Sequence, residues 1–147
     1  MNKFFIIGII VIGVIVLAGA TFYFSGNKSN SSATLGAETE NKISHMTPTD
    51  FQKAINSGEY TLIDIRTEEE YASGHISGAA QIDFYQTQEF SAYLDSLDKS
   101  KEYLIYCRSG NRSGQALNIM QDKGFSDASD LAGGISAWIG AGLPIEK

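Results

Sequence analysis

Tyr103-Leu104-Ile105-Tyr106-Cys107-Arg108-Ser109-Gly110-Asn111-Arg112-Ser113-Gly114 is the stretch on which the rest of the chain turns. A short apolar run, Tyr103 to Tyr106, delivers the only cysteine of the protein. Small and polar residues follow, and then Gln115–Lys123 carries apolar residues at 116, 117, 119 and 120, which predicts an amphipathic helix. Strand, tight loop and helix in that order set a thiol at the C-terminal end of a strand, facing a helix N-terminus. In open α/β sheets ligands bind in that crevice. Unpaired backbone N–H groups and the positive end of the helix dipole favour an anion there. A thiol so placed loses its proton more readily than a free one at about 8.5.

The plainer reading is that a lone cysteine ending an apolar strand is a buried core residue. Three features favour reactivity. The following residues are small and polar, so the thiol opens onto a loop. Arg108 and Arg112 lie within five positions of it. The chain has three arginines against eight lysines, and two of the three stand in this loop. The planar guanidinium fork suits oxyanions in a way that the lysine ammonium does not.

Outward from the loop, strands and helices alternate, which predicts an α/β class with about five strands in a mainly parallel sheet flanked by helices. Lys42–Met46 reads as a short edge strand. Thr47-Pro-Thr-Asp50 opens a helix reaching about Asn56, with Thr47 as N-cap and Pro48 in the first turn. Tyr60–Ile65 reads as a buried strand interrupted by Asp64, a carboxylate that needs partners if it is buried. Thr67-Glu-Glu-Glu70 is a second capping box, opening a helix through Ala72. Ala79–Ile82 reads as a short strand, and Gln88–Leu97 as a helix with Phe90, Tyr93, Leu94 and Leu97 inward. Ala128–Leu131 supplies a last strand, and Gly133-Gly134 opens a final helix carrying Ile135, Trp138 and Ile139.

Cys107-Arg-Ser-Gly-Asn-Arg-Ser113 resembles the active-site loop of rhodanese-like domains. The resemblance continues in Leu62-Ile-Asp-Ile-Arg66, Gly74-His-Ile-Ser-Gly-Ala79, Leu131-Ala-Gly-Gly-Ile-Ser-Ala-Trp138 and Gly142-Leu-Pro-Ile145, covering residues 43 to 146 in order. It implies sulfur transfer through a Cys107 persulfide, from thiosulfate or a persulfide donor to a thiophilic acceptor. The loop Arg108, Ser109, Gly110, Asn111, Arg112 and Ser113 would cradle the terminal sulfur. It also implies that Asp64 supports the Cys loop from behind and that Arg66 pairs with Glu70. Two other functions remain open: a persulfide carrier or binding module without turnover, and a cysteine phosphatase. Phosphatases that share the rhodanese fold have a loop one residue longer than the six residues from Cys107 to Arg112, and a smaller ring suits one sulfur atom.

The chain of 147 residues is 43% hydrophobic, but that content is uneven. Phe4–Phe24 holds 21 residues without a charge. As a helix it would reach roughly 31 Å, enough for a hydrocarbon core of about 30 Å. Lys3 precedes it and Phe22-Tyr23-Phe24 closes it like an interfacial belt. We read residues 1–24 as an N-terminal hydrophobic helix, either an uncleaved anchor or a signal cut near Ala18-Gly-Ala20, with the following domain on the extracytoplasmic side or secreted. Residues 25–41, rich in Ser, Asn and Gly, read as a flexible tether to a domain at 42–147. That domain has nine basic and fifteen acidic residues, a net charge of −6. Such a balance argues against nucleic acid as a partner, which needs a positive footprint. One cysteine makes neither an internal disulfide nor a Cys-rich metal site, and His45 and His75 lack ligand spacing. Neither metal nor cofactor is expected.

Overall fold

The computed structural model describes residues 42–147. The expected membrane segment Phe4–Phe24 and the tether 25–41 lie outside them. Among the described residues no helix is long and apolar enough to cross a membrane.

Five parallel strands form one sheet in the order β1-β5-β4-β2-β3. They are β1 (Lys42–Met46), β2 (Thr61–Asp64), β3 (Ala80–Gln81), β4 (Glu102–Tyr106) and β5 (Asp127–Leu131). Between and after them run α1 (Pro48–Ser57), α2 (Glu68–Ala72), α3 (Thr87–Ser96), α4 (Asn111–Asp122) and α5 (Gly134–Gly140). β4 lies at the centre, and its Tyr103–Tyr106 run is buried throughout, as a parallel strand covered on both faces must be. Tyr103 and Ile105 meet α3 and α4 through Phe90, Leu94, Leu117 and Met120. Leu104 and Tyr106 turn to the opposite face, against Phe51 of α1 and Ile135 and Trp138 of α5. This alternation is the period of two of a pleated strand.

Local chemistry sets the element boundaries. Thr47 caps α1, its hydroxyl accepting the Asp50 N–H at 3.3 Å, with Pro48 inside the first turn. Thr67 and Glu70 close the expected capping box at the start of α2. α4, however, begins at Asn111, four residues before the position predicted from apolar periodicity. Asn111, Arg112 and Ser113 therefore form the first helical turn and are not loop. The apolar pattern could not reveal this, because a first turn aimed at a ligand carries no core residue. β2 and β3 are each one residue shorter at either end than expected. An antiparallel bridge between His75 and Glu146 fastens the C-terminal segment to the loop after α2.

Candidate active site

Cys107 follows β4 directly, where the central strand ends and the chain turns into α4. Its side chain is 1% exposed. Gly110 is the N-cap of α4, at φ 91°, and offers no side chain to the helix's free N–H groups. The sulfur takes the place of that cap. The Gly110 N–H donates to Cys107 Sγ at 3.1 Å. Burial pushes the Cys107 thiol up, but the backbone N–H groups of Ser113, Ser109 and Gly110 push it down. The outcome lies below the ordinary thiol value of 9.0. This is the environment of a nucleophilic thiolate and not that of an inert core cysteine.

The loop is clamped from below. α5 starts at Gly133-Gly134, and its Ile135 and Ser136 N–H groups donate to the carbonyls of Cys107 (2.9 Å) and Arg108 (3.1 Å). A Cβ on Gly134, where φ is 60°, would stand 2.5 Å from the Cys107 oxygen and the Arg108 carbonyl carbon. Glycine is required there by both torsion and close approach. The sequence marked Gly133-Gly134 as a helix start; its contact with the Cys loop became visible only in three dimensions.

The charged partners differ from those the resemblance implied. Arg66 does not pair with Glu70. Its Nη2 donates to Asp64 Oδ2 at 2.6 Å and to the Gly74 carbonyl at 2.8 Å, while Nε lies 3.0 Å from each Asp64 oxygen. Residues 64 and 66 stand two apart on an extended segment and so point to one side. Asp64 accepts these bonds from Arg66 and none from the Cys loop; the pair braces the end of β2 beside Tyr106, whose ring lies 5.6 Å from the Arg66 guanidinium carbon. Glu70 instead receives Arg112, with Nη1 and Nη2 each 2.8 Å from a carboxylate oxygen. The Arg112 guanidinium, opposed by partial burial and aided by the Thr67 N–H, holds Glu70 below its usual 4.5. The pair thus ties α2 to the first turn of α4.

Arg108, Ser109, Asn111, Arg112, Glu70 and Tyr85 line a cleft of about 470 Å³ above the loop. The Tyr85 ring, 64% exposed, lies 5.2 Å from the Arg112 guanidinium carbon. Its position at the cleft was not foreseen, since a single exposed tyrosine has no pattern. Ser113 is buried, with its hydroxyl 2.7 Å from Asp130 Oδ2, 3.2 Å from the Gly110 carbonyl and 3.6 Å from Cys107 Sγ. Asp130 was also missed, although a carboxylate inside Ala128-Ser-Asp-Leu131 carries the same signal as Asp64 does in β2. Among the described residues no group of three or more His, Cys, Asp or Glu side chains could hold a metal ion.

Comparison with known proteins agrees with this geometry. The chain is 36% identical over 94 residues to a sulfurtransferase of Allochromatium vinosum, covering 64% of this chain and 85% of that one. It is 31% identical over 91 residues to a thiosulfate sulfurtransferase of Pseudomonas fluorescens, covering 62% and 81%. The crystal structure of a rhodanese-related protein from Thermoplasma volcanium superposes with a TM-score of 0.61 at 28% identity, over 69% of this chain and 96% of that one. The family model of the rhodanese-like domain matches residues 47–141, across all the elements from α1 to α5, and the chain belongs to that family.

Proposed function

We propose that the protein is a sulfurtransferase working through a persulfide on Cys107. The Cys107 thiolate attacks the outer sulfur of thiosulfate or of a persulfide. The new S–S bond forms as the old one breaks, and sulfite or a thiolate leaves with the electron pair. The enzyme then carries Cys107–S–S⁻. A thiophilic acceptor, such as cyanide or a thiol, attacks the terminal sulfur and releases the Cys107 thiolate. The backbone N–H groups from Arg108 to Ser113 stabilise the terminal sulfur's charge.

The observation that carries this reading is the 3.1 Å contact from the Gly110 N–H to Sγ, at an uncapped helix start. The names of the similar sulfurtransferases support it. Because both terminal nitrogens of Arg112 are engaged by Glu70, Arg108 is the cation we assign to meeting an anionic donor at the cleft mouth. Asp64 and Arg66 serve as braces, and Ser109, Asn111 and Ser113 shape the loop. The six-residue loop argues against phosphatase chemistry, because a phosphate needs room for three oxygens on the same N–H donors at about 2.7–3.1 Å. We further propose that Phe4–Phe24 anchors the chain in a membrane, with residues 25–41 as tether and the catalytic domain on the extracytoplasmic side.

Steady-state transfer from thiosulfate to cyanide, with both in large excess, tests the enzyme against a carrier. Many thiocyanate molecules formed per protein are expected. One equivalent and then silence would assign the protein as a carrier, and aryl phosphate hydrolysis at a comparable rate, lost in Cys107→Ser, would overturn the assignment.

A further inference from the structure

The far side of the Cys loop holds a chain of polar groups that the sulfur chemistry alone does not require. His45 on β1 and Asp130 on β5 face each other in register across the parallel pair. His45 Nδ1 lies 2.5 Å from Asp130 Oδ1. The other oxygen, Oδ2, accepts the Ser113 hydroxyl at 2.7 Å, and the Ser113 oxygen lies 3.6 Å from Cys107 Sγ. Asp130 and Ser113 are 1% and 0% exposed, whereas the His45 side chain is 70% exposed. The chain therefore runs from solvent at the sheet edge to the buried sulfur.

We propose that Asp130, with His45 behind it, is a positioning residue that sets which way the Ser113 hydroxyl points and thereby how well the Cys107 thiolate is stabilised. This rests on Cys107 being the nucleophile. A hydroxyl has one proton. At 2.7 Å from a carboxylate, that proton goes to Asp130, and the Ser113 oxygen turns a lone pair to the sulfur. In this arrangement Ser113 accepts from a thiol S–H and gives nothing to a thiolate. Weakening Asp130 as an acceptor frees the hydroxyl to donate to sulfur. A carboxylate facing His45 keeps the proton of a neutral ring on Nδ1, so the Nδ1–H donates to Oδ1 in either charge state. That N–H draws on the carboxylate's charge and so weakens its hold on Ser113.

Other charges on the neighbouring elements face counter-ions, Arg108 apart. On α1, Asp50 and Lys53 pair with each other at 2.9 Å. On β5, Asp127 faces Lys42 at 3.7 Å. In front of the sulfur, Arg112 of α4 is engaged by Glu70 of α2, and Arg108 lines the cleft. Asp130 is thus the carboxylate that reaches the sulfur through Ser113, and His45 is its ionisable partner.

The test is the rate of Cys107 alkylation by iodoacetamide against pH, which reads the thiolate directly and does not depend on sulfur transfer. Asp130→Asn keeps the shape of the site but turns an amide NH2 to Ser113, so the thiolate should form at lower pH and alkylation at pH 6 should rise by about 3- to 10-fold. His45→Leu leaves Asp130 its charge and removes the ring N–H that Oδ1 accepts, so alkylation at pH 6 should fall by a similar factor. In a Ser113→Ala background both effects should shrink to less than about twofold, since the coupling runs through that hydroxyl. Opposite signs that vanish together with the hydroxyl establish the positioning role. Changes of the same sign, no change, or effects that persist in Ser113→Ala would overturn it. Loss of sulfur transfer with the alkylation pattern intact would instead count against the function proposed for Cys107.

Discussion

At the scale of single residues, the site rests on a sulfur that serves as the cap of its own helix. Because the Cys107 thiol is held below 9.0, the thiolate fraction grows as pH rises through that lowered value and is constant above it. The rate of persulfide formation from thiosulfate should follow the same curve, with its midpoint below pH 9 and a plateau above that midpoint. A midpoint above pH 9 would mean that the N–H groups do not offset burial. Arg112→Ala removes a buried cation and leaves Glu70 as an unmatched carboxylate lining the cleft. Use of an anionic donor should fall by roughly 10- to 150-fold, the scale of about 1.5–3 kcal/mol for a hydrogen bond to a charged group. Adding Glu70→Gln should restore part of the loss, because the repulsion goes with the carboxylate. No recovery in the double variant would show that Arg112 acts on the donor directly.

At the scale of elements, most of the architecture was legible in the sequence. Thr47-Pro48 and Thr67–Glu70 announced α1 and α2 through capping chemistry, and the apolar run Tyr103–Tyr106 announced the strand that delivers Cys107. The start of α4 and the partner of Arg112 were not legible, for physical reasons. The first turn of α4 hid because Asn111, Arg112 and Ser113 show no apolar periodicity. The Arg112–Glu70 pair hid because its partners stand 42 residues apart and Arg66, the other arginine near Glu70 in sequence, is held by Asp64. The clamp of α5 on the Cys loop belongs to this scale too. Gly134→Ala would force a Cβ into the Cys107 and Arg108 backbone at a torsion that disfavours it, at a cost of about 2–4 kcal/mol. Thermal unfolding should shift down, and alkylation of Cys107 should slow in whatever remains folded. Gly140→Ala, where a Cβ meets nothing within 4 Å, is the control that should leave both readouts close to wild type. Equal behaviour of the two variants would remove the clamp from the description of the site.

At the scale of the whole molecule, a sheet with one thiol at the end of its central strand is joined in sequence to an uncharged segment of 21 residues. If Phe4–Phe24 holds the chain in a membrane with the domain outside, protease added to intact cells should release a fragment beginning within residues 25–41. A domain untouched until the cells are lysed would contradict that orientation, and a mature chain beginning at Thr21 would contradict the anchor. Neither outcome changes what the domain does. That is decided most directly by the intact mass of the purified protein after incubation with thiosulfate. A gain of one sulfur, about 32 Da, removed by a reductant and absent from Cys107→Ser, is the result expected of a persulfide on a single thiol. An unchanged mass in the folded, alkylatable protein, or the same gain in Cys107→Ser, would contradict sulfur transfer through Cys107.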